Sequence, residues 1–291
     1  MGKTSISWTD YTVQVTHGCS IVSPGCASCY AMRLAGTRLR HMDAYAGLTM
    51  PSPNGPVWNG TMRPAAKSYL MRPLHWRQPS RIFVNSLSDL FAEAVLDPWI
   101  DRALAMAGLA HWHQFLILTK RPDRALRYMT TPGRRDYIVT AARELVSASK
   151  PANLASQLPP LPFPNVVIGA SVEDRARLPR IDALREIPAS ARFLSLEPLL
   201  EPLGRLDLSG IDLVIVGGES KTGGREARAL PNISEIRNIR DQCADAGVAF
   251  HFKQVGSNHA GWPSEVTGKG DDPEEWPLDL RNQQRLPARA A

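Results

Sequence analysis

No apolar run in the sequence approaches the roughly eighteen residues needed to span a membrane. The first residues, Met1-Gly2-Lys3-Thr4-Ser5-Ile6, lack the apolar core of a signal peptide, and Ile6 stands where a myristoylation motif needs Ser or Thr. A cytoplasmic location with no membrane partner is therefore expected. Cysteine is scarce, with four in 291 residues, which excludes a small scaffold stapled by disulfides. Charged residues are few enough, at 21% against 43% hydrophobic, to give an ordinary soluble balance. The chain is long enough to bury a large core, and one α/β barrel domain over residues 1–291 is expected.

Three of the scarce cysteines are nevertheless crowded together. Cys19, Cys26 and Cys29 fall within eleven residues as C-x6-C-x2-C, and Cys243 lies far away. Ser23-Pro24-Gly25 between them reads as a turn, since proline presets φ and glycine accepts unusual backbone angles. The helical pattern starting at Tyr30 puts Cys26 and Cys29 near a helix N-terminus, where partial positive charge favours thiolates. A structural zinc site would need a fourth ligand, such as His17 or Cys243. A disulfide would leave one thiol over and needs oxidising surroundings. Ordinary burial suits Cys243 but rarely crowds three cysteines beside a turn. An iron–sulfur cluster with three cysteine ligands keeps one iron open to a small molecule, and the count of three favours it.

The rest of the chain alternates apolar runs with helical patterns. The runs are 8–13, 81–86, 115–118, 165–173, 192–198, 211–220 and 248–254. Helices are expected over about 30–42, from Asp97 as N-cap with Pro98 first, to about 129 after Pro122, around 137–149, and over 232–246. Two insertions, 43–80 and 131–163, interrupt the series, and a polar tail begins at Gly256. Nearly continuous apolar strands between helices indicate parallel pairing covered on both faces, hence a (β/α) barrel or partial barrel. Asp89, Lys120, Glu173, Glu197, Glu219 and Lys253 each occur as a run ends, so a barrel would gather them at one mouth. Gly217-Gly218-Glu219-Ser220 lets a ligand approach the backbone, although a plain strand–helix turn would look the same.

A net charge of +6 and a pI near 9.3 lean towards polyanionic partners. Arg33, Arg38, Arg40, Arg63, Lys67, Arg72 and Arg77 are dense next to the cysteine stretch. Solvated helix faces would explain any one of them.

Several runs carry a resemblance: Trp8-Thr9-Asp10, Val22-Ser23-Pro24-Gly25-Cys26, Cys29-Tyr30-Ala31, Leu87-Ser88-Asp89-Leu90-Phe91, Leu118-Thr119-Lys120-Arg121-Pro122, Ser171-Val172-Glu173, Leu196-Glu197-Pro198, Gly217-Gly218-Glu219-Ser220 and Phe252-Lys253-Gln254. In this order they resemble a phage and prophage family of three-cysteine-motif, radical-SAM-like proteins of unknown function. The resemblance implies a radical-SAM-like barrel and a [4Fe-4S] cluster on Cys19, Cys26 and Cys29. It also implies S-adenosyl-L-methionine at the open iron, an external electron donor, and the host cytoplasm if the gene is phage-borne. A 5′-deoxyadenosyl radical would then abstract hydrogen from an unactivated carbon. Cofactor contacts are expected from Asp89, Gly217, Gly218, Glu219 and Ser220, and catalytic roles from among Lys120, Glu173, Glu197 and Lys253. Three departures stand out: the six-residue first gap, Ser28 before the last cysteine, and a Gly-Gly-Glu run after a late strand rather than the second. The implied substrate is a phage nucleotide or DNA base, with rearrangement or C–C bond formation on a modified thymine as one case. The alternative is a non-catalytic nucleic-acid or partner-binding protein stapled by a cluster or zinc.

Overall fold

A computed structural model describes residues 4–146, 158–222, 226–263 and 265–281. The end of the expected helix, 147–149, and the tail over 282–291 lie outside the described residues. Seven parallel strands form one sheet in sequence order: β1 (Tyr11–Val13), β2 (Arg81–Val84), β3 (Gln114–Thr119), β4 (Val166–Ser171), β5 (Ala191–Leu196), β6 (Leu213–Gly217) and β7 (Ala249–Gln254). Among the described residues no pairing joins β7 back to β1, so the sheet is a half-barrel rather than a closed one.

Alternation along each strand sorts residues to two apolar faces, which is why the runs look continuous in sequence. The outer set includes Ile82, Val84, Phe115, Ile117, Ile168, Leu194, Val214, Val216 and Phe252 and packs under the helices. The inner set is Phe83, Leu116, Val167, Phe193, Leu213 and Ile215, gathered around Trp8. The Trp8 ring lies 4.6 Å from Phe83 on β2 and 5.8 Å from Phe193 on β5. One indole reaching strands three places apart requires the sheet to curve around it. Ser7, one residue earlier, hydrogen-bonds His251 on β7 at 2.8 Å, so the N-terminal segment spans the open side.

The helices are α1 (Tyr30–Gly36), α2 (Asp97–Leu109), α3 (Pro122–Met129), α4 (Arg134–Val146), α5 (Pro179–Glu186) and α6 (Ile233–Asp245). Helix α1 ends six residues earlier than expected, where Gly36 packs so closely on Pro56 that a Cβ would come within 2.2 Å of it. Helix α2 is capped by Leu96, with Asp97 inside its first turn. The Asp97 carboxylate instead accepts from Arg124 at 3.3 Å and Arg134 at 2.9 Å, which ties α2 to α3 and α4. The 43–80 insertion folds as short strand pairs and one helical turn, Lys67–Leu70. One of these pairs sets Arg63–Pro64 against Thr16–His17. The tail packs on β7: Trp276 meets Phe252 edge-on at 4.6 Å, and Trp262 stacks on the same ring at 5.6 Å.

Candidate functional site

The inner face changes character towards the strand C-termini. Above the Trp8 floor, register places Ser171 beside Ser195 and Ile215 beside His251. Two residues further along the same face come Lys120, Glu173, Glu197, Gly217 and Lys253. A cavity of about 600 Å³ opens at this level, within the size range of small-molecule sites. Cys19, Cys26, Cys29, Asp89, Lys120, Glu197, Gly218, Glu219, Ser220 and Lys253 all line it, whereas Glu173 and Gly217 stand behind its wall. Tyr45, Trp58 and Tyr69 from the 43–80 insertion line it as well.

The cysteine loop leaves β1 through a tight crossing. Asn85, after β2, adopts φ 61°, a left-handed conformation that asparagine tolerates better than most residues. Its side-chain oxygen accepts from the N–H groups of Val15 and Thr16, and its amide donates to Thr16 Oγ1. Beyond this point Pro24–Cys26 forms a 3-10 turn, and Cys29 caps α1. The N–H groups of Ala31 and Met32 do favour a Cys29 thiolate, as the helix start suggested. Burial is stronger and raises the thiol above its ordinary value. Burial, reinforced by Asp89 and opposed by Arg121, pushes Cys19 up to about 12. All three thiols are free. Among the described residues, no three His, Cys, Asp or Glu side chains group as ligands of a single metal ion.

Three acid–base brackets hold this loop over the barrel. In the first, Asp89 accepts from Thr119 Oγ1 at 2.7 Å and from the N–H groups of Phe91 and Lys120. It also accepts from Arg121 at 2.8 Å, and Arg121 reaches on to Ser20 Oγ at 2.5 Å and Ser20 O at 3.1 Å. In the second, Glu173 is fully buried and accepts from Lys120, from Arg180 at 2.8 Å and from Ser23 Oγ at 2.5 Å. Burial opposes ionisation of Glu173, but Lys120, Ser23 and Arg180 together outweigh it and hold its pKa below the usual range. Gly25 presses on the same carboxylate, where a Cβ would lie 2.6 Å from Glu173 Oε1. In the third, Glu219 accepts from the N–H of Arg228 at 2.8 Å and from its guanidinium at 2.6 Å, and Arg228 donates to Pro24 O at 3.3 Å. Its pKa too lies below the usual range, because Arg228 prevails over burial.

The fourth arrangement is different. Glu197 Oε1 lies 2.7 Å from Lys253 Nζ, and its other oxygen accepts from Ser195 Oγ at 3.2 Å. Among the described residues neither side chain bonds to the cysteine loop. The glycine pair is filled from inside the protein: the Glu197 carboxylate occupies the space beside Gly217, and Val255 O occupies that beside Gly218. Arg121, Arg180 and Arg228 were not among the expected site residues. Only Arg121 lay in a recognisable run, Thr119-Lys120-Arg121-Pro122. Cys243 is fully buried on α6, away from the loop in sequence and packed in the outer core.

Among solved structures, the chain is similar to a cysteine-to-serine mutant of spore photoproduct lyase, with a TM-score of 0.43 and 12% identity over 84% of this chain and 77% of that one. It is also similar to a double mutant of that lyase with bound AdoMet and dinucleoside spore photoproduct, with a TM-score of 0.39 and 13% identity over 80% of this chain and 61% of that one. No curated protein matches. The model for the family described as "Protein of unknown function (DUF5131)" matches residues 3–285, nearly the full length, and the chain belongs to that family.

Proposed function

We propose that this protein is an iron–sulfur, S-adenosylmethionine-dependent radical enzyme acting on a nucleotide or DNA base. The observation that carries the reading is three free thiols of one loop lining a single cavity that the strand-end charges also line. Cys19, Cys26 and Cys29 would hold a [4Fe-4S] cluster. The thiolates of such a cluster bind different irons and stand further apart than the ligands of one ion, so a shared cavity is what it requires. The Cys19 and Cys29 thiols, raised by burial, also fit a site that loses its protons only when a positively charged centre arrives. The bound group would supply the electron that cleaves S-adenosylmethionine, and an external donor would replace it. The brackets at Ser20, Ser23 and Pro24 hold the loop in place, and Trp8 with the inner floor excludes water from below.

The nucleotide or DNA assignment rests on the insertion. Tyr45, Trp58 and Tyr69 offer aromatic walls for a flat base, with exposed Lys67 and Arg72 flanking Tyr69 in sequence. A duplex base would have to leave the stack to enter, at a cost of a few kcal/mol. Rearrangement or C–C bond formation on a modified thymine is one reaction that would call for radical chemistry.

The test is anaerobic purification followed by reduction with S-adenosylmethionine present. A brown protein that releases 5′-deoxyadenosine is expected, whereas a colourless zinc protein that leaves S-adenosylmethionine intact overturns the reading. DNA affinity that falls steeply with salt, and falls further in Arg72→Ala/Arg77→Ala, supports a polynucleotide. Turnover of a mononucleotide by a protein with no DNA affinity at low salt assigns the free nucleotide instead.

A further inference from the structure

Three of the four acid–base arrangements at the strand ends are used to hold the cysteine loop. Among the described residues the pair Glu197–Lys253 bonds only to itself and to Ser195. Its side chains keep 14% and 23% exposure in the cavity, where Glu173 has none. They come from β5 and β7, on either side of β6, and Gly217 on β6 leaves the room between them. A Cβ at Gly217 would come within 2.7 Å of Glu197 Oε1. The result is a carboxylate and an ammonium side by side, facing open space.

We propose that Glu197 and Lys253 form a receptor for an α-amino-acid group, Glu197 taking the ligand's ammonium and Lys253 its carboxylate. A zwitterion opens the resident ion pair and replaces it with two, so no charge is left uncompensated away from water. A phosphate would pair with Lys253 and set its own charge against Glu197. A simple amine would leave Lys253 without a counter-ion. The pair therefore selects a ligand bearing both charges on neighbouring atoms. Ser195 Oγ, donating to Glu197, fixes the carboxylate's orientation for this role. Such a group has two sources, the methionyl end of S-adenosylmethionine or an amino-acid substituent on the substrate. Only the first rests on the function proposed above.

Calorimetry on the purified protein separates these cases, with S-adenosylmethionine and glycine as probes, each beside its decarboxylated counterpart (decarboxylated S-adenosylmethionine and methylamine). The intact form of one probe should bind at least about tenfold more tightly than its counterpart, the scale of one charge-assisted hydrogen-bonded pair. Lys253→Met should erase that difference, and Glu197→Gln should weaken both members about tenfold. The reversed pair, Glu197→Lys with Lys253→Glu, keeps an ion pair and its melting temperature, yet should lose the affinity because the polarity is wrong. Discrimination within the S-adenosylmethionine set assigns the cofactor. Discrimination within the glycine set assigns the substrate substituent, and it stands even if no cluster can be loaded. S-adenosylmethionine binding that is indifferent to both single substitutions, with no discrimination in the glycine set, overturns the inference while leaving the radical enzyme intact. Failure of both probes to bind, or equal binding with and without the carboxylate, also overturns it.

Discussion

Glu173 and Glu197 follow adjacent strands, at the same height on the same inner face of the half-barrel, yet one is sealed in the fold and the other faces the cavity. A loop descends on the first and not on the second. Ser23 and Gly25 close over Glu173, and Lys120 and Arg180 complete its shell. Glu197 instead pairs with Lys253 and accepts from Ser195, beside the space left by Gly217. An acid at a strand end can thus serve a barrel mouth in two ways, by anchoring the segment that carries the site or by meeting what enters it. The neighbours decide which.

The largest break in this comparison comes from the thiols themselves. Cys19→Ala, Cys26→Ala and Cys29→Ala should each abolish the cluster's visible absorbance, whereas Cys243→Ala, buried in the helical core, should leave it intact. Absorbance spectra of the four variants check this, and bleaching by Cys243→Ala would make the site a four-cysteine one.

Next is the sealed acid. Glu173→Gln leaves Lys120 and Arg180 without their counter-charge and should cost about 3–5 kcal/mol, as breaking a buried pair does. Denaturant melts give the loss. A value under about 1 kcal/mol would mean that the bracket is not formed in solution. Glu219→Gln should cost less, about 1–3 kcal/mol, because Arg228 is partly exposed and can turn to water.

The acid limb of the stability curve sharpens the same contrast. Glu173 and Glu219 have folded pKa values below their unfolded ones. Their contribution is therefore fully present above about 4.5 and lost as pH falls through the folded values. His251 titrates earlier. Burial, more than the opposing pull of Glu197, lowers it from 6.5 to about 4, so its share is complete above 6.5 and disappears on the way down to 4. Thermal melts from pH 7 to 3 should show both steps, and Glu173→Gln should flatten only the lower one. The smallest expected effect belongs to the open pair. Glu197→Gln and Lys253→Met should each cost only about 1–2 kcal/mol, because among the described residues the pair ties no loop to the sheet and the partner left behind still reaches the cavity. A larger loss in melts of either variant would put this pair among the anchors.

Much of the architecture was legible because it depends on local periodicity. Alternation along 115–118 and 211–217 buries both faces of a strand, and only a parallel sheet under helices accommodates that. The crowding of Cys19, Cys26 and Cys29 and the turn at Ser23-Pro24-Gly25 were likewise plain. The run Gly217-Gly218 reads either as a ligand approach or as a plain strand–helix turn, and Gly218 does line the cavity. The room beside the two glycines is used internally, by Glu197 and by Val255. Nothing in the pattern could reveal that, since a missing Cβ does not say what comes close to it.

The sequence by itself determined the order of strands and helices, the thiol spacing and the placing of charges at the strand ends. The tertiary structure alone decided what each charge does. Arg121 finds Ser20 across 101 residues and Arg228 finds Pro24 across 204. Periodicity tells a side chain which face it is on, but an ion pair depends on distance through space. That distance exists only once the sheet has curved around Trp8 and the cysteine loop has come down on its mouth.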